Sequence, residues 1–497
     1  MNTLRYSLLS IFATISLGLM AIEIDNTAGN LASNIGESCD VTELIVTGEI
    51  NAADIDFISN ELKQLQGLDL SAASIVAYAG ERVLTGGTEY RANELPDYAL
   101  MGLKATSITL PSSLTSIGEG ALTSTCVESI AIPESVTSIG AHAFAECRNL
   151  SAISLPNSVT SIGEGLFMGC VNLSSATFSE SITTLPDRTF ENCSSLAEVS
   201  ILAVTNIGKR AFLGCSALKN IALPSSLTAI GAEAFYGSGI ETAELRTATS
   251  LATIGDFAFA KCESLTEVLF GDVSPTLGRG VFFDDSALAY ITLPASTTVI
   301  PEFTFKGTTV INPEVIREGV TEIKDYALTG WANIEDFKIP STLNTIGSGA
   351  MANWENIGQI DVTDVHQVPE LGDNVWRNVD QASIILYVDT ADEEAYASAA
   401  QWNEFTIKNN YVESDATIEA DTSGITLRYS KPMLTISSKG EEIVFVEIFD
   451  LNGRARYANK SESATAEVDT SDLAGGNIVV RITLADGSIT SAKLLLN

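Results

Sequence analysis

The chain is poor in basic residues. Its 497 residues include 27 lysines and arginines against 63 aspartates and glutamates, which gives a formal charge of −36. A surface this negative repels phosphate backbones and anionic lipid headgroups, so nucleic acids and membrane surfaces are excluded as partners. The excess of acid is typical of a soluble extracellular protein. With 45% hydrophobic residues, the chain can nevertheless bury a large core.

The motifs of common catalytic sites are also missing. The chain has two histidines, His142 and His366, and lacks G-x-S-x-G, H-E-x-x-H, a P-loop and any C-x-x-C pair. His142 stands at a variable, solvent-facing place. The sequence therefore predicts no catalytic residue, no cofactor and no metal site. A secreted hydrolase stays open as the weakest alternative, because the chain has carboxylates enough for an acid pair.

Long apolar runs are limited to the N-terminus. Arg5 precedes an apolar stretch from Tyr6 to Met20, and Ala21 is a plausible cleavage residue. This pattern predicts a signal peptide over residues 1–21. No later run is long enough to cross a bilayer. We expect an exported chain that is not inserted in a membrane after removal of the signal.

A repeat fills the middle of the chain. Aliphatic anchor residues recur at steps of 22 to 25, mostly 23: Leu95, Ile117, Ile139, Ile162, Leu185, Ile207, Ile230, Ile254, Leu277, Ile300, Ile323, Ile346 and Leu371. A fixed period in this range predicts a solenoid, in which each unit packs on its neighbours.

A second position of the unit confirms the spacing. Five residues after the anchors stand Leu100, Leu122, Phe144, Phe167, Phe190, Phe212, Phe235, Phe259, Phe282, Phe305, Leu328, Met351 and Trp376. All of these residues are large and apolar. They predict a ladder of stacked side chains along the interior.

Each unit has three parts. A short alternating strand such as 153–155 ends at a proline, here Pro156, which cannot donate to a ladder. A second extended piece ends at Gly163, which is interpreted as a corner that needs unusual backbone angles. The segment from Gly165 to Cys170 then has room for about one helical turn.

Six of the seven cysteines follow the repeat. Cys147, Cys170, Cys193, Cys215 and Cys262 lie eight residues after an anchor, and Cys126 is one residue out of register. Trp331 and Trp354 hold the same place in later units, so we interpret it as an interior packing position. In a stack, parallel side-chain vectors keep neighbouring Cβ atoms too far apart for disulfides. The pattern predicts buried free thiols; Cys39 has no assigned place.

The pattern I-x-L-P-x-S-V-T-x-I-G-x-x-A-F-x-x-C-x-x-L resembles the leucine-rich repeat of BspA-like bacterial surface proteins. The resemblance implies a leucine-rich repeat solenoid of stacked parallel strands and short helical turns, with the array over residues 95–380. It also implies an N-terminal cap with atypical first repeats over 39–94 and a C-terminal cap over 381–410. In that C-terminal cap, Tyr396, Trp402 and Phe405 would cover the last coil.

The period disappears in the tail. Residues 411–424 are acidic and predict a linker, and 425–497 predict a small antiparallel β-sandwich with tight turns at Asn452-Gly453 and Asp486-Gly487. The tail also resembles the sorting domain of type IX secretion. That resemblance is carried by Phe449, Asp450, Gly453, Arg454, Ser471, Leu473 and Gly476. Ile478 stands where the family usually has tyrosine, so a plain β-sandwich module stays the alternative.

The family resemblance implies a secreted or cell-surface, adhesin-like protein. We expect a monomer that binds an extracellular or cell-surface protein or glycan through an extended solenoid face. The candidate binding residues on its strands are Glu198, Lys219, Glu267, Tyr290 and Lys338. Because few of these are aromatic, weak multivalent contacts are expected. A passive structural spacer stays open as an alternative.

Overall fold

A computed structural model describes residues 21–36, 40–84, 87–294, 296–310 and 315–409. In the tail it describes residues 417–418, 425–430, 433–439, 442–450, 455–470, 476–485 and 489–496. The chain divides into two compact units at Asn410 and Tyr411. Residues 1–20 of the predicted signal peptide, Cys39 and both predicted tight turns of the tail lie outside the described residues.

The N-terminal part contains a parallel sheet that leads into the repeats, formed by β1 (Ala21–Asn26), β2 (Glu43–Ile50), β3 (Gly67–Asp69) and β4 (Ala73–Ile75) and continued by β8 (Ser107–Thr109) of the array. The part also has the helices α1 (Leu31–Ile35) and α2 (Ala52–Glu61) and an antiparallel pair, β5 (Tyr78–Val83) and β6 (Gly87–Tyr90). This sheet therefore begins at Ala21, upstream of residue 39, where the predicted cap starts. Asp54 connects the start of α2 with the start of α1. Its buried carboxylate accepts hydrogen bonds from the backbone N–H groups of Gly29, Leu31 and Asn51.

The array contains two series of short parallel strands. The first series is β8 (Ser107–Thr109), β11 (Ala152–Ser154), β13 (Ser175–Thr177), β15 (Glu198–Ser200), β18 (Thr242–Glu244), β20 (Glu267–Leu269), β22 (Tyr290–Ile291), β25 (Asp336–Lys338), β27 (Gln359–Asp361), β29 (Ile385–Val388) and β30 (Thr406–Asn409). We call its outward side the strand face.

The second series carries the anchors. It consists of β7 (Glu94–Leu95), β9 (Ser116–Ile117), β10 (Ser138–Ile139), β12 (Ser161–Ile162), β14 (Thr184–Leu185), β16 (Asn206–Ile207), β17 (Ala229–Ile230), β19 (Thr253–Ile254), β21 (Thr276–Leu277), β23 (Val299–Ile300), β24 (Glu322–Ile323), β26 (Thr345–Ile346) and β28 (Glu370–Leu371). Every anchor is the last residue of one of these strands. Ten of the twelve successive anchor pairs are parallel register partners, which confirms the predicted register.

The predicted helical turn in each unit is wrong. After each anchor the chain runs through successive tight turns, with left-handed residues three and seven places on, such as His142 (φ 56) and Glu146 (φ 57). The backbone N–H groups of His142, Phe144 and Glu146 donate to carbonyls of the next coil, 2.6 to 3.0 Å away. Because these groups bond outward along the stack, they cannot form the i→i−4 bonds of an α-helix. We call this stretch of each coil the turn segment.

The glycine after the anchor is required by close packing. The φ of Gly163 is not left-handed, so its predicted role as a conformational corner is wrong. A Cβ at this position would lie 2.2 Å from the backbone nitrogen of Ala141 in the preceding coil. The absence of a side chain thus lets consecutive coils approach to the spacing that their hydrogen bonds need.

The interior ladder is present as predicted. All thirteen side chains five residues after the anchors are buried. The eight phenylalanines from Phe144 to Phe305 stack in sequence, with ring centroids 5.0 to 6.2 Å apart and planes within 22° of parallel. Each ring therefore covers the face of the next, and the core continues from coil to coil without a break.

The cysteine position is an interior position, as predicted. Cys147, Cys170, Cys193, Cys215 and Cys262 are buried free thiols, and Cys126 is free and half-buried. Each buried thiol donates to the backbone carbonyl of the ladder residue in the preceding coil, at 3.0 to 3.2 Å. The indole of Trp354 makes the same bond to Leu328, at 2.9 Å. The position accepts either residue because both supply a buried donor.

Aromatic residues close the C-terminal end of the array. The elements here are a 3-10 turn at Gln381–Ser383 and the helix α3 (Glu393–Ser398). The rings of Trp402 and Phe405 lie 5.7 and 5.0 Å from Trp376, the last rung of the ladder. Tyr396 packs on Trp402 and donates its hydroxyl to the carbonyl of Val365. These residues cover the last coil, as the resemblance implied.

The second unit consists of two antiparallel sheets. One has the order β31 (Thr417–Ile418), β32 (Ile425–Ser430), β33 (Met433–Ser438), β36 (Thr465–Asp469), and the other β35 (Ala455–Ser463), β34 (Ile443–Asp450), β37 (Gly476–Leu484), β38 (Ile489–Leu496). Side chains of both sheets share one hydrophobic cluster, including Leu434, Ile448 and Val480. The antiparallel strands agree with the expectation, and the β-sandwich itself stays a prediction. The strand β31 lies within the predicted linker.

Candidate binding surfaces

The strand face presents outward residues in register. Glu198 begins β15, where it pairs with Ser175 of β13, and Glu267 pairs with Thr242 on one side and Tyr290 on the other. The side chains of Glu198 and Glu267 are exposed. The backbone of Tyr290 lies on the same face, and its side chain is outside the described part of the structure. Alternation along a strand explains this placement, because the residue between two outward positions points into the core.

The two predicted binding cations are held by neighbouring carboxylates. The ammonium of Lys219 lies 2.8 Å from Glu241, and this hydrogen bond raises the pKa of Lys219. Lys338 lies 2.7 Å from Asp364 and 3.7 Å from the buried Asp361; these interactions, chiefly that with Asp364, raise its pKa. The pair of Lys219 and Glu241 is exposed, and such pairs stabilise a protein little, so a partner could displace it at low cost.

The predicted binding residues do not converge on one pocket. Glu198 belongs to the sheet β11-β13-β15, Glu267 and Tyr290 belong to β18-β20-β22, and Lys338 belongs to β25-β27-β29-β30. Lys219 lies in the part of the chain between the first two of these sheets and belongs to no strand. The arrangement is a line of separate charged positions, which suits contact with an extended partner.

The two histidines occupy different surroundings. His142 is half-buried, with its ring against Gly165 of the next coil, so its predicted solvent-facing position is wrong in part. The Nδ1 of His366 lies 2.8 Å from Asp392, and the hydrogen bond with this carboxylate raises the pKa of His366. Within the described ranges, no serine, threonine or cysteine side chain is hydrogen-bonded to either imidazole, so neither forms the arrangement of a catalytic triad.

In the part of the chain that the structure covers, no group of three or more histidine, cysteine, aspartate or glutamate side chains is placed to hold a metal ion. Of the helices in that part, none is long and apolar enough to cross a membrane.

Sequence reasoning missed an aromatic surface on the turn segments. The half-buried rings of Phe283, Phe303 and Tyr326 lie around the ammonium of Lys306, with centroids 5.6 to 5.8 Å from its Nζ. A cation over aromatic faces is stabilised by the ring quadrupoles. Aligning the residues three and six places after each anchor would have revealed this surface, because the aromatics recur there in consecutive units.

The comparisons with known proteins agree with this architecture. A family model described as the BspA type leucine-rich repeat region matches residues 93–203, 202–312 and 298–416. A leucine-rich repeat protein from Bacteroides ovatus is similar in structure, with 19% identity, a TM-score of 0.56, and coverage of 83% of this chain and 99% of that chain. No curated protein matches the chain by sequence.

Two further solved structures match with lower scores. One is a leucine-rich cell surface protein from Faecalibacterium prausnitzii, with 21% identity, a TM-score of 0.32, and coverage of 62% of this chain and 87% of that chain. The other is the leucine-rich repeat protein of T. pallidum, with 24% identity, a TM-score of 0.27, and coverage of 40% and 86%.

The family matches, together with the ladder and the parallel strands, define the class of the protein. The repeats matched by the family model extend over more than half of the chain. This family suggests a protein-binding role at a cell surface, and its solenoid is typical of non-enzymatic proteins. The chain belongs to the BspA-type leucine-rich repeat family.

Proposed function

We propose that this protein is an exported or cell-surface adhesin that binds an extracellular protein through its strand face. The observation that carries the proposal is the register of the outward residues on successive parallel strands. Such strands place equivalent side chains about 4.8 Å apart along the face. A partner can therefore make the same small contact with several coils.

The charges of this face favour a partner with basic groups. The side chains of Glu198 and Glu267 are exposed and make no ion pair with any residue that the structure describes. The whole chain carries a formal charge of −36, which attracts cationic surfaces over a distance of about 10 Å at moderate salt. The described outward side chains of this face form no central cluster of aromatic or arginine residues, so single contacts are weak and affinity depends on their number.

The test measures binding of the full chain to immobilised matrix proteins, mucins and bacterial surface polymers by surface plasmon resonance. We expect binding to a basic protein surface that weakens as salt is raised, and a marked loss for the double variant Glu198→Lys, Glu267→Lys. Glu263→Lys is the matched control, because it reverses one exposed charge outside the strands. If the double variant binds as well as the parent chain, the interaction lies on another surface.

A passive spacer is the second candidate and predicts no binding above background to any member of the panel. A hydrolase predicts turnover that one carboxylate substitution abolishes. The geometry favours neither over the adhesin, because the exposed acids of the strand face lie in separate sheets instead of forming a facing pair.

We further propose that the C-terminal unit directs export through type IX secretion. The support is the resemblance carried by Phe449 and Asp450 at the end of β34, together with two antiparallel sheets around one core. Gly476, a further motif residue, begins β37, and the remaining ones, 453–454, 471 and 473, lie outside the described residues. Deleting residues 425–497 should retain the protein inside the cell envelope, as measured by cell fractionation. Normal surface display of the deletion variant would contradict this role.

A further inference from the structure

The aromatic surface of the turn segments ends at Tyr326. This residue stands three places after its anchor, at a position that is aromatic in some coils and glycine or charged in others. Phe303 and Tyr326 stack at this position, with ring centroids 5.4 Å apart and planes 7° from parallel. The next coil has Gly349 there and the one after it has Asn374, so the stack does not continue.

A depression of about 330 Å³ lies beside Tyr326 and Gly349. We call it the slot; it is lined by Asp325, Tyr326, Ser348, Gly349, Asp373, Asn374 and Arg377. Phe303 stacks on one face of the Tyr326 ring. A Cβ at Gly349 would lie 2.6 Å from Cε1 of Tyr326, so this edge of the ring packs on the glycine. The ring is half-buried, and its uncovered part forms an aromatic wall of the slot.

The opposite wall is polar and its side chains are unpaired. The carboxylate of Asp373, the amide of Asn374 and the guanidinium of Arg377 are exposed, and none has a hydrogen bond or ion pair with a described residue. Asp325 is oriented by the backbone N–H of Ser348, which donates to its Oδ1 at 2.7 Å. Its second oxygen is left for another donor.

We propose that the slot binds a pyranose ring of a neutral glycan. A pyranose has a flat apolar face that suits an aromatic wall, and hydroxyl groups at its edge that suit carboxylate, amide and guanidinium partners. Carboxylates and guanidinium groups can each hold two adjacent hydroxyls, which fixes the orientation of the sugar.

The charge of the slot selects against acidic sugars. Two carboxylates, Asp325 and Asp373, stand against one guanidinium, Arg377, and the whole chain is strongly negative. A uronic or sialic acid would therefore meet net repulsion. The slot belongs to the turn segments, so this binding is separate from the proposed protein contact on the strand face.

A similar arrangement at the start of the array provides a control. Tyr98 holds the same position of its coil, and its ring lies against Gly120. Its hydroxyl already donates to Glu119, so the polar end of this ring is engaged within the protein. Tyr98→Ala therefore removes an equivalent tyrosine without affecting the slot.

The test is affinity electrophoresis of the full chain in native gels that contain galactomannan, glucomannan, mixed-linkage β-glucan or α-mannan, with polygalacturonate as the anionic comparison. We expect retardation by at least one neutral polysaccharide and none by polygalacturonate. Asp373→Asn and Arg377→Met should each weaken binding about tenfold, as expected for the loss of a hydrogen bond to a charged group. Tyr326→Ala should abolish retardation, and Tyr98→Ala should leave it unchanged.

Asp373→Asn and Arg377→Met keep the test decisive if Tyr326→Ala fails to fold, because both residues are exposed. The proposal is overturned if no neutral polysaccharide retards the chain, if polygalacturonate alone does so, or if the two exposed variants bind as the parent does. The Glu198→Lys, Glu267→Lys variant should keep its glycan binding whatever becomes of the protein contact.

Discussion

Replacing Phe212 by alanine should remove one ring from the middle of the interior stack. Phe212 is fully buried between Phe190 and Phe235, with centroids 5.5 and 5.1 Å away. Truncating a buried phenylalanine to alanine costs about 3–5 kcal/mol, because the apolar transfer free energy is lost and a cavity is left behind. Each stacked pair contributes about 0.5–1.5 kcal/mol beyond the free energy gained by burying the ring. We therefore expect the upper part of this range.

The stacked geometry also determines where the loss should appear. In a linear array, stability is a sum of unit terms and contacts between nearest neighbours, so removing one rung weakens two contacts at once. All four tryptophans lie after the phenylalanine stack, at positions 331, 354, 376 and 402. Tryptophan fluorescence therefore reports on the later coils, whereas hydrogen exchange resolved by peptide can follow residues 190–235 directly.

Urea unfolding and hydrogen exchange should be measured on the same variant. We expect Phe212→Ala to lower the free energy of unfolding and to lose exchange protection first around Phe212. Phe212→Leu should cost less than half as much, because leucine holds the same rung at Leu100, Leu122 and Leu328. Phe283→Ala, which removes a half-buried ring from the turn surface, is the control at about 1 kcal/mol. Unchanged unfolding and protection in Phe212→Ala would refute the ladder as the basis of stability.

Three further predictions concern single polar side chains of the array. Asp285 stands at the cysteine position and is fully buried. One of its oxygens accepts the backbone N–H of Cys262, the other has no partner among the described residues, and burial holds its pKa well above the usual range. The folded chain therefore keeps this proton at pH values where the unfolded chain has released it, so Asp285→Asn should raise stability in urea by a margin that grows as pH rises above about 4; a pH-independent difference would count against a neutral acid. Burial raises the pKa of Cys147 to about 11, so the free energy of unfolding should fall as pH rises above about 9. A thiol reagent at neutral pH should label Cys126 before any buried cysteine, and rapid labelling of Cys147 in the native state would contradict this order. His142→Ala should lower the free energy of unfolding by less than about 0.5 kcal/mol and therefore shift the midpoint of thermal unfolding little. A larger loss would mean that the imidazole contributes to packing.

The sequence by itself determined the register and the core of the array. The anchors and the rungs five residues later repeat with one period, so the same position of each unit carries the same kind of apolar residue. Because every coil packs only on its neighbours, a local pattern is enough to place Phe144 or Phe305 in the interior. The cysteine position was recognisable for the same reason, since tryptophan replaces cysteine in later coils.

Only the tertiary structure decided how the turn segment is bonded and which surfaces it creates. A stretch such as 165–170 has the length of a helical turn, but its N–H groups find partners in the next coil, and sequence spacing does not show such bonds. The requirement for Gly163 likewise comes from a neighbouring backbone 2.2 Å from a hypothetical Cβ. The slot at Gly349 is lined by residues from three consecutive coils, among them Tyr326, Gly349 and Arg377. A repeat pattern determines what each coil contains, whereas a binding site arises from differences between coils that only their stacking brings together.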